Sequence, residues 1–315
     1  MIPHDKATMI MPIKIQDYTD FYSSKNHAYN VGVMFRGVDN ALQPNWLHLP
    51  VGYHGRASTV VVSGTDVVRP KGQIQLDPKT PKWSACMKLD FELEVGAVIG
   101  KPSKMGVPIK LKDSAEHIFG FTLLNDWSAR DLQVWEYVPL GPFNAKNFAT
   151  TISPWIVTSE ALEPFKIKLP AQEPEPLPYL KDDNNYSYDV ELDVLLQSPT
   201  MAEPTLISKS NFKYMYWSAN QQLTHHTVTG CSMTVGDVLG SGTISGTEKD
   251  SYGSFLELAW NGKEPLKVGN GEERIFLNDG DVLTLKGQCK GPGYTIGFGE
   301  CSGKILPALD DSHFY

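Results

Sequence analysis

Cysteine is scarce in this sequence: four residues in 315, at Cys86, Cys231, Cys289 and Cys301, none close to another. That spacing excludes a C-x-x-C zinc or redox motif and offers no disulfide frame, so the thiols read as reduced and the chain as cytoplasmic. Positive charge is also short. With 28 Lys and Arg against 36 Asp and Glu, the formal net charge of −8 excludes nucleic acid as a general partner. A few basic side chains can still converge on a small anion. No apolar run approaches the roughly 20 residues of a membrane span. The N-terminal patch "ATMIMPI" is short and contains Pro12, so it is not a signal peptide.

Other absences concern chemistry. "GSGTISG" is glycine-rich but lacks the Lys-Ser/Thr of a phosphate loop and does not fit G-x-G-x-x-G. No G-x-S-x-G elbow occurs, which removes an α/β-hydrolase serine mechanism. His225 and His226 are adjacent in a helical stretch and do not share a face, so they are no metal pair. Asn185-Tyr-Ser187 has the form of a glycosylation site without a secretory context.

What is present is a soluble composition, 41% apolar and 20% charged, with 27 Gly and 22 Pro. Short β-branched runs such as "STVVVSG" and "ELEVGAVIG" recur between turn residues, the pattern of a strand-rich α+β fold. Helices are expected in "WSARDLQVWEYV", with Ser128 as N-cap, and along "NFKYMYWSANQQLTHH". A shorter one is expected at Asp113, where Asp113 and Glu116 have capping-box spacing. The proline-rich stretch from Glu163 to Pro178 reads as a surface excursion within one domain, not a linker between two.

The carboxylates are the strongest signal. In "LDFELEVGAVIG" alternation puts Asp90, Glu92 and Glu94 on one face, with Phe91, Leu93 and Val95 on the other. A solvated acidic face is the ordinary reading. Like charges so close are unfavourable without a cation, and Mg²⁺ or Ca²⁺ takes oxygen ligands. Asp126 follows an apolar run, where a strand gives way to a helix. Arg130, Gln133 and Tyr137 then recur at spacings of three and four, on one helical face. Trp127 and Trp135 imply that much of this helix is buried, and a buried polar stripe needs partners. Lys146, in a loop, reads by default as solvated. Glu257 in "GSFLELAW", read as an apolar strand, needs a specific partner, and a histidine is a natural one. "DYTDFYSSKNH", Asp17 to His27, is explicable as turn chemistry, but it also supplies two acids and a histidine.

"ELEVGAVIGK", "HIFGFTLLNDWSARDLQ", "KNFATT" and "TVGDVLGSGTISG" together resemble the fumarylacetoacetate hydrolase superfamily. "DYTDFYSSKNHA", "NWLHLPVGYHGRAS", "WEYVPLGPF", "SNFKYMYW" and "GSFLELAWNG" narrow the likeness to the branch that cleaves fumarylacetoacetate to fumarate and acetoacetate, the last step of tyrosine and phenylalanine breakdown. The likeness runs from about Ala7 to about Leu306. It implies a strand-rich β-roll or sandwich with a few helices, and a homodimer that uses a divalent cation, Ca²⁺ or Mg²⁺. It implies metal-binding by Asp20, Glu92, Glu94 and Asp126, with Lys146 and Thr150 near the metal. His27 is implied as base, oriented by Glu257, and Arg130, Gln133 and Lys146 as carbonyl-polarising groups. Tyr22, Arg36, Tyr53, Gln133, Tyr137 and Thr243 match the family's contacts to a small dicarboxylate diketone.

Members of this branch carry a small SH3-like barrel before the matched region, and here the chain starts after it. Residues 1–315 are therefore expected to form a single catalytic domain, with 1–12 a residual linker and 308–315 a tail. Ala149 stands where close relatives have Gly. Two other readings remain open at this point. An acylpyruvate hydrolase or decarboxylase of the same superfamily would lack Asp20, His27, Arg36 and Tyr53 as a group. A non-catalytic Ca²⁺-dependent binding module would expose Trp and Tyr platforms and has no use for a buried His27–Glu257 pair.

Overall fold

The computed structural model describes residues 6–77 and 80–315. Its centre is the strand Leu93–Ile99, all seven residues of which are buried. A strand covered on both faces has no polar side to show, so the half-solvated acidic strand expected from alternation is not what forms. Antiparallel pairing joins this strand to Ile118–Asp126 on one side and to Val238–Gly240 on the other. The sheet continues outward through Thr150–Ile152 and Val60–Val62 at one edge and through Tyr18–Phe21 and Gly52–His54 at the other, with Val157–Thr158 also on Ile118–Asp126.

A second sheet of five strands runs in the order Thr205–Asn211, Glu191–Gln197, Val282–Gly291, Tyr294–Leu306 and Val67–Val68. Leu93, Val95 and Leu123 of the first sheet share one core with Leu192, Val194, Leu283, Leu285 and Phe298 of the second. The result is the strand-rich α+β architecture with few helices that the sequence implies. The Glu163–Pro178 excursion docks on this body: the Gln172 side chain bonds the Tyr216 carbonyl and Gln221. At the C-terminal end Lys71 Nζ lies 2.6 Å from Asp311, and Trp83 meets Phe314 edge to face.

The helices depart from expectation for local reasons. Ser128 is not an N-cap. It pairs with Asp90 in a two-residue ladder, and the helix Arg130–Glu136 starts after it without a side-chain cap. Trp127 is fully buried, but Trp135 is 37% exposed, so only one edge of this helix is covered. The long helix expected over "NFKYMYWSANQQLTHH" is broken. Its start is strand and 3₁₀ turn, and the helix Ala219–Thr227 begins at Ser218, whose capping box with Gln221 resets the chain. Near Asp113 a single turn, Leu111–Ser114, follows Lys110, so Asp113 does not cap it. "GSFLELAW" is not a strand either. Phe255–Leu258 is one helical turn whose Ser254 hydroxyl accepts from the Glu257 N–H.

Candidate active site

Strand register assembles the acidic site. Asp20 stands opposite Gly240 on one neighbour and Tyr53 on the other, while Asp126 faces Thr150 at the end of its strand. Glu94 lies within the central strand, and Glu92 just before it. Oxygens of Asp20, Glu92, Glu94 and Asp126 all lie within 4.8 Å of one another, and all four residues are buried. Asp90, expected on the same face, is elsewhere. The strand is interrupted after it at Phe91–Glu92, and its carboxylate takes the Arg130 Nε–H at 2.9 Å.

The nest is only partly neutralised by the chain. Lys146, solvated by default as a loop residue but placed near the metal by the family likeness, is buried, with Nζ 2.5 Å from Glu92 and 2.7 Å from Asp126. Arg130 Nη1 lies 2.7 Å from the other Glu92 oxygen. Burial alone would raise the Glu92 carboxyl, but these two cations outweigh it and hold the group down to about 2. Asp126 accepts further bonds from the Tyr53 hydroxyl at 2.7 Å and from Thr150 at 3.1 Å. Neither Asp20 nor Glu94 is paired with Lys146 or Arg130, and among the described residues Glu94 accepts only the Gly242 N–H, at 2.9 Å on Oε2. Burial, with Asp126 beside one and Asp20 beside the other, raises both well above the usual carboxylate range. Asp20 Oδ1 and Glu94 Oε1 are buried and have no hydrogen-bond partner among the described residues.

Orphaned buried carboxylate oxygens are costly, and a hard divalent cation with oxygen ligands is what would satisfy them. The residues therefore fit a resident cation. Lys146 is donor-only, so it can balance charge there but cannot be a ligand. Gly240 makes room. A Cβ at that position would sit 2.7 Å from Asp20 Oδ1 and 2.9 Å from Glu94 Oε2.

Beside the nest stands the histidine. His27, on the helix Lys25–Arg36, bonds through Nδ1 to Glu257 Oε2 at 2.6 Å, and both side chains are buried. Asn30, one turn on, donates to Glu257 Oε1 at 2.9 Å, and the Ser245 and Ser254 hydroxyls donate to Oε2 at 2.8 and 2.9 Å. Burial alone would raise the Glu257 carboxyl, but His27 and these donors bring it below the ordinary value. With Nδ1 committed, Nε2 is the nitrogen left to handle a proton.

A cavity of about 440 Å³ opens over both groups. Asp20, His27, Glu92, Arg130 and Lys146 line it. So do all six expected substrate contacts: Tyr22, Arg36, Tyr53, Gln133, Tyr137 and Thr243. Arg130 Nη2 and Thr243 Oγ1 are buried without partners among the described residues, and both belong to residues of the wall. Every expected site residue thus falls in the cavity wall, the nest or the layer directly behind them. Sequence reasoning missed Gly240, Asn30, Ser245 and Ser254. Asn30 shares a helical face with His27 at a spacing of three, which is a readable signal. Ser254 and Glu257 have the S-x-x-E spacing of a helix start, also readable, whereas Ser245 reaches Glu257 through a turn that no periodicity reveals.

Four converging carboxylates that could hold a cation, beside a buried His–Glu pair in one cavity, give the arrangement of a candidate enzyme site. Residues 17–305 match the family model described as fumarylacetoacetate (FAA) hydrolase, C-terminal, and the chain belongs to the fumarylacetoacetate hydrolase family. Fumarylacetoacetase of Dictyostelium discoideum is 59% identical over 307 residues, 96% of this chain and 72% of that protein. Fumarylacetoacetase of Homo sapiens is 57% identical over 309 residues, 98% of this chain and 74% of the relative. Among solved structures, a 5-carboxymethyl-2-hydroxymuconate delta-isomerase from Mycobacterium smegmatis aligns at TM-score 0.56 and 18% identity, covering 98% of this chain and 86% of that one. A fumarylacetoacetate hydrolase from Exiguobacterium antarcticum aligns at TM-score 0.54 and 19% identity, covering 94% and 76%. At such identity the structures speak for the fold alone.

Proposed function

We propose that the chain hydrolyses a carbon–carbon bond of fumarylacetoacetate, giving fumarate and acetoacetate. The observation that carries this reading is the convergence, in one cavity, of the acidic nest and the His27–Glu257 pair. The high identity to fumarylacetoacetases across most of the chain supports the substrate. A buried His27–Glu257 pair argues against the binding-module reading. Asp20, His27, Arg36 and Tyr53 all line the cavity, which favours this substrate over an acylpyruvate.

Asp20, Glu92, Glu94 and Asp126 would hold Ca²⁺ or Mg²⁺, with Lys146 and Thr150 beside it. When bound, the cation supplies Lewis-acid polarisation and a template for the diketone oxygens. His27 Nε2 takes a proton from water as the water oxygen bonds to the ketone carbon of the fumaryl group itself, which becomes the second carboxyl of fumarate. Glu257 holds the imidazole in the tautomer this needs. Negative charge then grows on the former carbonyl oxygen. Arg130, through its unpartnered Nη2, Gln133 and Lys146 are the donors placed to meet it. Collapse breaks the carbon–carbon bond, and acetoacetate leaves as a carbanion. Return of the proton from His27 to that carbon closes the balance. Tyr22, Arg36, Tyr53, Tyr137 and Thr243 hold the substrate, with Arg36 suited to a terminal carboxylate.

Residues 1–315 act as a single catalytic domain in this reading, in a cytoplasmic homodimer. No helix among the described residues is long and apolar enough to cross a membrane. The test compares turnover of fumarylacetoacetate and of acylpyruvates by purified protein, alongside His27→Ala. Preference for fumarylacetoacetate, lost in the variant, is expected. Preference for acylpyruvates would move the assignment to the other branch of the family.

A further inference from the structure

One buried carboxylate close to the site has no part in the chemistry just described. Asp90 is fully buried, and its two oxygens accept four hydrogen bonds. Oδ1 takes the backbone N–H of Phe91 at 2.8 Å and of Phe255 at 2.7 Å. Oδ2 takes the N–H of Leu256 at 3.0 Å and Arg130 Nε–H at 2.9 Å. Phe255 and Leu256 open the helical turn Phe255–Leu258, which carries Glu257. Arg130 in turn reaches Glu92 at 2.7 Å and Gln133 at 3.2 Å with Nη1. A single side chain thus holds the guanidinium with one hand and the Glu257 turn with the other. Both partners reach the cavity, since Arg130 and Leu256 line it.

We propose that Asp90 is a positioning residue that fixes Arg130 and the Glu257 turn relative to each other, so that oxyanion donor and base pair are held as one unit. This rests on the roles given to Arg130, His27 and Glu257 above. The need for a carboxylate follows from the hydrogen-bond count. All four partners are donors, two to each oxygen, and an ionised carboxylate meets them with two acceptor sites per oxygen and no competing O–H. An amide of the same shape accepts at one oxygen and turns an NH₂ toward two of the donors. Asp90→Asn therefore keeps the volume and breaks half of the clamp.

The experiment uses the full chain loaded with Mg²⁺, wild type and Asp90→Asn, with two readouts. The first is kcat and KM on fumarylacetoacetate. The second is the low-field proton resonance expected of the short His27 Nδ1–Glu257 bond, identified by its loss in His27→Ala. Removing support behind working groups typically costs about 10–100-fold. A kcat loss of about that size is expected, with KM changed less than about threefold on the scale of that loss, and the resonance shifted or gone. A folded Asp90→Asn with wild-type kcat, or with the resonance unmoved, overturns the proposal. A purely structural Asp90 would lower stability and leave both readouts of the folded protein intact.

If Asp90→Asn does not fold, Asp90→Asn with Arg130→Met is compared with Arg130→Met alone, which removes the buried charge pair together. Lower kcat and loss of the resonance only in the double variant support the proposal; identical behaviour overturns it. Should wild type fail to turn over fumarylacetoacetate, the catalytic reading falls on its own. The resonance then decides whether Asp90 sets Glu257 against His27.

Discussion

Buried carboxylates lining the same cavity or packed directly behind it are treated in opposite ways. Glu257 is finished by the chain: His27, Asn30, Ser245 and Ser254 all meet its oxygens, and its carboxyl lies below the ordinary range despite burial. Asp20 and Glu94 are left with orphaned oxygens and carboxyls raised by burial and by neighbouring carboxylates. A satisfied carboxylate serves as a fixed orienter. An unsatisfied pair marks where a cation could enter. The contrast separates what folding completes from what, in the proposed function, a cation would complete.

The largest break in this contrast comes at the finished end. Glu257→Gln should lower turnover by about 10²–10⁴-fold, because His27 loses the partner that fixes its tautomer. Steady-state kinetics on fumarylacetoacetate check this, with cation affinity expected to stay near wild type. Gln133→Ala removes one donor from the wall and should cost about 2.7–4 kcal/mol in transition-state stabilisation, read from kcat/KM.

At the unfinished end, Gly240→Ala should weaken cation binding by about 10–100-fold, since the added methyl crowds Asp20 and Glu94. Calorimetric titration with Mg²⁺ measures it. The smallest effect probes the pH linkage. In the cation-free protein Asp20 and Glu94 have raised carboxyls, so their contribution is favourable when protonated and is lost as pH rises through the folded values. Chelation should therefore lower Tm more at high pH than at low pH, by thermal melts with and without chelator. A difference that shrinks as pH rises would contradict the assignment. The satisfied Glu257 should show no such dependence on the cation.

The same division governs what could be read from the sequence. The central strand, Asp126 at a strand end and the need of Glu257 for a histidine were legible, because hydrophobic runs and a lone buried charge are local signals. Ser128 looked like a cap because nothing in the sequence shows that Asp90 pairs with it instead. "NFKYMYWSANQQLTHH" looked like one helix because Pro and Gly are absent, yet the Ser218 capping box restarts it. From its loop alone Lys146 reads as solvated, because its partners Glu92 and Asp126 lie elsewhere in the sequence, and only the family likeness placed it in the site. Family likeness supplied Asp20, His27 and the wall residues, which spacing alone left ambiguous. Asp90 stayed hidden for the opposite reason: alternation placed it with Glu92 and Glu94, and a break at Phe91–Glu92 took it away.

The most direct test strips the cation and leaves the chain whole. Protein shown metal-free by elemental analysis is assayed by ultraviolet absorbance of fumarylacetoacetate, then again after Mg²⁺ or Ca²⁺ is restored. Turnover should vanish and return, while the low-field His27 resonance persists throughout. Full turnover by metal-free protein would contradict the division between a dyad the chain completes and a nest that a cation completes.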